Sequence, residues 1–179
     1  MATNLFLTRT FDQPLSVADV CERVRTSEWC YAMHKVDWRG SFLAIDGQTM
    51  ICWFTAADAE SVRIALHKSG ADTQFLWRGT VHDGREPLVP NVLVERSFEQ
   101  PVTFAEIQSA AIAGAGCFRM HRVTHARTFF SLDRKHMLCL YGAPDAESVR
   151  IAQREVALPH DTVWAFHSIT PETVRSAST

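Results

Sequence analysis

Two tandem ferredoxin-like βαββαβ units, forming a pseudo-dimeric α+β barrel, are the fold this sequence predicts. Three observations carry the prediction. First, the chain is written twice. A shift of 87 residues aligns most of it without a gap, so that Cys30, Met33, His34 and Val36 fall on Cys117, Met120, His121 and Val123. The run DAESVRIA from Asp58 recurs unchanged from Asp145, and a fixed offset of this kind marks an internal duplication. Second, each copy reads strand, helix, strand, strand, helix, strand. Third, the stretch MICWF is apolar on both faces, with Met50, Cys52 and Phe54 on one and Ile51 and Trp53 on the other. Such a strand needs cover on both sides. Helices supply one side, and the sheet of the counterpart unit, set about a pseudo-two-fold axis, supplies the other.

The elements follow in order. LFLTRTF and VLVERSF are short extended segments rich in branched and aromatic residues. Pro14 and Pro101 lead into helices, with Ser16/Asp19 and Thr103/Glu106 at N-cap and N3 spacing. Val17, Val20, Cys21 and Val24 then share one helical face, as do Phe104, Ile107 and Ala111. A hairpin comes next. The first copy turns at DGQT, where Asp-Gly favours a tight turn, and the second turns at DRKH before returning as MLCLY. Asp58 and Asp145 cap a second helix, and a last strand carries Trp77 or Trp164. The expected organisation is residues 1–80 for the first repeat, 81–90 for a linker, 91–169 for the second repeat and 170–179 for a flexible tail.

With 179 residues, 46% of them apolar, the chain can bury a core. A formal charge of −2 and the lack of any Lys/Arg run argue against nucleic acid or an anionic membrane as partner. No apolar run approaches the roughly 20 residues of a membrane span. The segment MATNLFLTRTF lacks the basic and apolar regions of a secretion signal. Five cysteines are an odd number, expected as free thiols in a reducing cytoplasm. The expected assembly is a monomeric pseudo-dimer or a weak homodimer.

Among the chemistry-bearing residues, Cys30 and His34, with Cys117 and His121, stand four apart and share a helix face. Thiolate and imidazole suit nickel, zinc or copper, although Cys-x3-His lacks the paired Cys-x2-Cys of a structural zinc site. The competing reading is packing built twice, with cysteine and methionine buried and histidine hydrogen-bonded. Cys52 and Cys139 lie among apolar neighbours and read as small core residues. Glu95 interrupts an apolar strand, so it needs a partner or a task. Arg9 and Arg96 recur in both copies, as a carboxylate-recognition pair or, better, as members of structural ion pairs.

At VERSFEQP, VDWRGSF with its following DG, CLYGAPD and LPHDTV, the chain resembles a family of small bacterial nickel-binding proteins with a ferredoxin-like fold. The resemblance spans nearly all of both repeats. Those proteins are about one repeat long and pair as homodimers, which implies that this chain is a fused dimer. The copies keep different pieces of the pattern. Val94-Glu95-Arg96 is matched by Thr8 in place of the glutamate, and Trp38, Ser41 and Asp46-Gly47 are matched by His125, Thr128 and Asp133-Arg134. The family's glutamate and helix histidine fall on Thr55 or Gly142 and on Ala65 or Ala152, while the Cys-x-x-Met-His segment lies outside the pattern. The resemblance implies a small protein binding nickel or another divalent transition metal, for which Cys30, His34, Cys117 and His121 are the candidate ligands. The alternative is an enzyme or carrier acting on a small organic molecule in a cavity between the repeats, with Glu95, His121 and His34 as acid–base groups. The partner is then a metal ion or a small molecule, and the sequence leaves open whether the chain is an enzyme.

Overall fold

The computed structural model describes residues 2–85 and 87–177. The first copy begins with β1 (Thr3–Thr10). Strand alternation sends Leu5 and Leu7 to one face and Phe6 to the other, and all three are fully buried. Helix α1 (Val17–Met33) starts at Ser16, whose side chain and that of Asp19 cap each other's backbone N–H groups. The strands β2 (Asp37–Ala44) and β3 (Thr49–Ala56) form the hairpin, α2 (Ala59–Lys68) follows the N-cap Asp58, and β4 (Phe75–Asp83) closes the copy. The second copy repeats this as β5 (Val92–Ser97), α3 (Phe104–Ala113), α4 (Ala115–Met120), β6 (Thr124–Ser131), β7 (His136–Gly142), α5 (Ala146–Glu155) and β8 (Thr162–Ile169). A last helix, α6 (Pro171–Ser176), ends the described chain.

The strands run β1-β3-β2-β8-β5-β7-β6-β4 in one closed antiparallel barrel. The expected α+β barrel of two βαββαβ copies is therefore the fold. Two compact units divide it: residues up to Gly79 with those from His167 onward, and Thr80–Phe166. In the first unit, Leu5, Leu7, Met50, Cys52 and Phe54 of the sheet meet Val20, Val24, Val62 and Leu66 of α1 and α2. In the second, Val92, Val94, Met137, Cys139 and Tyr141 meet Phe118, Val149 and Ala152. Among the described residues, no helix is long and apolar enough to cross a membrane.

Three local expectations change. The segment 81–90 is not wholly a linker, because β4 continues to Asp83; Glu86 lies outside the described residues. The tail is not frayed over its length. Thr170 caps α6 through a reciprocal pair with Thr173, Pro171 presets the first turn, and Val174 is buried in the core that α1 shares. Ser178 and Thr179 lie outside the described residues. Lastly, the helix that is continuous as α1 breaks into α3 and α4 at Gly114. A Cβ there would collide with the Val156 side chain, so only glycine lets this corner pack so closely against Val156.

The hairpin turn of the first copy rests on another glycine. Gly47 has φ +74°, and a Cβ on it would collide with the carbonyl oxygen of Leu15. Gly47→Ala is expected to destabilise the protein by about 1–3 kcal/mol, read as a lower urea midpoint at unchanged slope. An unchanged midpoint would show that the Pro14–Leu15 segment moves aside freely.

Candidate functional site

The first unit contains a pocket of about 90 Å³ beneath α1, between that helix and the sheet. Strand parity and register place its floor. Arg9 pairs with Met50 on β3 and shares the helix-covered face with Leu5 and Leu7. Cys52 lies on the same face two residues along. The wall is a stripe of α1, since Arg23, Ser27 and Tyr31 recur at helical spacing and all line the pocket. Ser69, just beyond α2, lines it too.

A chain of hydrogen bonds runs along one side. The Trp38 indole N–H donates to Ser41 Oγ at 3.0 Å, and the Ser41 hydroxyl donates to Cys52 Sγ at 3.1 Å. Burial pushes the Tyr31 phenol up to about 12, with the nearby Cys52 adding to the effect and Ser27 and Arg9 opposing it. Burial likewise raises the Cys52 thiol, against Ser41 and Arg9. Near neutral pH both groups keep their protons, and the charge in the pocket comes from arginine. Arg9 and Arg23 lie 5.1 and 5.8 Å from the centre of the same Phe11 ring. Arg9 has no ion-pair partner among the described residues. Asp19 is within electrostatic reach of Arg23, but its carboxylate is engaged by Ser16, which is the main cause of its low pKa. Among the described residues, the expected structural ion pairs of Arg9 and Arg96 are therefore not formed.

The matching place in the second unit is built differently. Arg96 is 3% exposed and donates from Nη2 to Gln153 Oε1 at 2.8 Å and from Nη1 to the Pro159 carbonyl at 3.0 Å. His125 Nε2 lies 2.7 Å from Thr128 Oγ1, which is 3.5 Å from Cys139 Sγ, so the Trp38–Ser41–Cys52 chain is repeated with an imidazole at its head. Burial holds the His125 pKa below its usual 6.5, although the Arg127 backbone and Asp83 pull it upward. The folded protein thus resists a proton that the unfolded chain accepts. That cost is absent above the unfolded pKa and grows as pH falls through about 6.5 towards the lower folded value. Melting temperature is expected to climb from pH 5 to 7, and His125→Gln to flatten that climb. Parallel pH profiles for the two proteins would contradict the assignment.

The residues singled out from the sequence are dispersed among separate partners. Cys30 is fully buried, and His34 follows it as the C-cap of α1, with its Nε2 buried and without a hydrogen-bond partner. In the second unit Cys117 is half-buried, and His121 Nε2 lies 3.0 Å from Glu155 Oε2. Met33 and Met120 are exposed at 65% and 74%, so the packing reading of the twin segments fails for methionine while holding for Cys30. Glu95 has a partner: its Oε1 accepts the Trp164 indole N–H at 2.7 Å. Nickel in a square-planar site takes roughly four donors, whereas each unit offers one Cys–His pair, and the imidazole of the second pair, His121, is already held by Glu155. No group of three or more His, Cys, Asp and Glu side chains among the described residues is placed to hold a metal ion. Among the described residues they stand as separate donors rather than as an assembled metal centre. Arg23, Ser27 and Tyr31 were not singled out from the sequence. Their signal is an exchange between copies, Tyr31 and Phe54 of the first answering to Phe118 and Tyr141 of the second.

A sequence model of the family described as nickel responsive protein SCO4226-like matches residues 93–165, within the second copy. No curated protein gives a significant match. Among solved structures, TA0507, a candidate chlorite dismutase by its description, is 11% identical with a TM-score of 0.53, over 98% of this chain and 97% of its own. A mutant chlorite dismutase from Candidatus Nitrospira defluvii is 10% identical with a TM-score of 0.53, over 99% of this chain and 96% of its own. At such identities the likeness is one of fold.

Proposed function

We propose that this chain is a ligand-binding protein holding a small anion in the pocket of its first unit. The observation that supports this best is Arg9, a guanidinium lining a cavity with no carboxylate of the described residues paired to it. A guanidinium fork and a phenol that stays protonated both donate hydrogen bonds, which suits an oxyanion. A cavity of about 90 Å³, against the roughly 150 Å³ that accepts benzene, suits a ligand of only a few heavy atoms. The thiol at its floor stays protonated and is therefore a weak nucleophile, which favours binding over covalent catalysis.

The test is a thermal melt with sodium propionate, inorganic phosphate and chloride. At least one of the three should raise the melting temperature, by an amount that grows with concentration, and Arg9→Met should remove the shift. A wild-type protein indifferent to all three ends this reading.

Nickel or another divalent transition metal is a second reading, favoured by the family match over residues 93–165. His34, with its unpartnered Nε2, is then the strongest single donor, beside Cys30, Cys117 and His121. Equilibrium dialysis against nickel chloride should show metal bound by the wild type and lost from a His34→Ala/His121→Ala variant. Equal metal content in the two would move the ligands elsewhere.

A further inference from the structure

The second unit contains a worked copy of what the first leaves open. Arg96 occupies the position of Arg9 in the duplicated frame, but it is almost wholly buried. A buried guanidinium needs oxygen acceptors. Gln153 supplies one, and only its carbonyl Oε1 can face the arginine, because the amide nitrogen is itself a donor. In the first unit the position of Gln153 is Leu66, which lines the pocket and offers no acceptor. The space differs in the same sense. Ser69 and Ala71 at the pocket answer to Val156 and Leu158, and Leu158 is buried in the second core. The wall answering to Arg23, Val24 and Ser27 is smaller, as Ala110, Ala111 and Gly114, but the Val156 side chain reaches in against Gly114. The second unit thus has an internal oxygen and, on the α5 side, larger side chains where the first has a cavity.

We infer that the second unit is a self-occluded copy of the pocket, in which the Gln153 amide stands where ligand stands in the first unit, and that the ligand is a small monocarboxylate bound one per chain. A carboxylate presents the same planar sp² oxygen to Arg9 that the amide presents to Arg96, and adds the negative charge that Arg9 lacks. Its short tail meets Leu66, Phe54 and Val24, which are apolar walls of the pocket. Inorganic phosphate has the charge but nothing to place against those walls. This inference rests on the anion-binding reading and specifies its ligand.

The experiment is isothermal titration of the whole chain with sodium propionate and, separately, inorganic phosphate. Wild type should bind one propionate, more tightly than phosphate. Leu66→Gln installs the oxygen of the second unit and should weaken propionate at least tenfold, whereas Leu66→Met should change it less than threefold. Ser69→Val, at the half-exposed C-cap of α2, gives up the hydrogen bond from Ser69 Oγ to the Leu66 carbonyl, fills the space without adding an acceptor and should also weaken propionate at least tenfold. Wild type that binds neither propionate nor phosphate overturns this inference, and wild type that also ignores chloride overturns the anion-binding reading with it. Wild-type binding retained in full by folded Leu66→Gln, or by Ser69→Val where Leu66→Gln fails to fold, overturns this inference alone. Phosphate binding more tightly than propionate overturns the carboxylate assignment, and two propionates per chain overturn the occlusion of the second unit.

Discussion

Gln153→Ala is expected to destabilise the protein by about 3 kcal/mol or more. Gln153 is fully buried, and its Oε1 and the Pro159 carbonyl are the two acceptors that Arg96 has among the described residues. Truncation leaves a buried cation short of an acceptor and opens space in a close-packed core, and both effects act in the same direction. The Nε of Arg96 and the Nε2 of Gln153 already lack partners, so the cluster holds more buried donors than it satisfies before any truncation. The same physics predicts non-additivity. Arg96→Met combined with Gln153→Leu removes charge and amide together, and a buried polar pair replaced by apolar groups of similar size is often neutral or stabilising. Urea unfolding should therefore show the double variant closer to wild type than Gln153→Ala. A single variant within 1 kcal/mol of wild type would mean that solvent reaches Arg96.

Phe6→Ala is the second large effect, at about 3–5 kcal/mol. Phe6 is fully buried on the face of β1 opposite to Leu5 and Leu7, with its ring 4.5 Å from Trp77 and 6.3 Å from Trp53 between centroids. Its removal forfeits those ring contacts, and neighbours held by barrel hydrogen bonds collapse poorly into the gap. The equivalent residue in the second copy is Leu93, also fully buried, beside Trp164 on β8. Phe6→Leu therefore installs a side chain that this framework already accommodates and should cost less than half as much. Calorimetric melting of both variants checks this, and equal losses would show that the two copies do not share their packing.

The fold was legible because identities between copies report shared packing. DAESVRIA carries its own capping aspartate and its inward Val and Ala, and both become capped helices with Val62, Ala65, Val149 and Ala152 buried. The doubly apolar MICWF foretold a strand covered on both faces. What failed was decided at long range. At Gly114 the broken helix lies against Val156, 42 positions on, and α6 buries Val174 in a core begun by β1. The candidate site was hidden for the opposite reason. Cys30, His34, Cys117 and His121 drew notice because they match, whereas the pocket lies where the copies differ, at Leu66 against Gln153 and Ser69 against Val156. Two matching arginines meet different fates because of a residue 57 positions further along the chain.

The central claim is that Arg9 is the anion-binding arginine and Arg96 its internally satisfied counterpart. Nitrogen-15 NMR of the guanidinium Nε–H signals during a sodium propionate titration tests it most directly. The Arg9 resonance, and with it the Trp38 indole N–H at the pocket wall, is expected to shift and saturate while Arg96 stays in place. An Arg9 signal unmoved at saturating propionate, or an Arg96 signal that moves with it, would contradict the account.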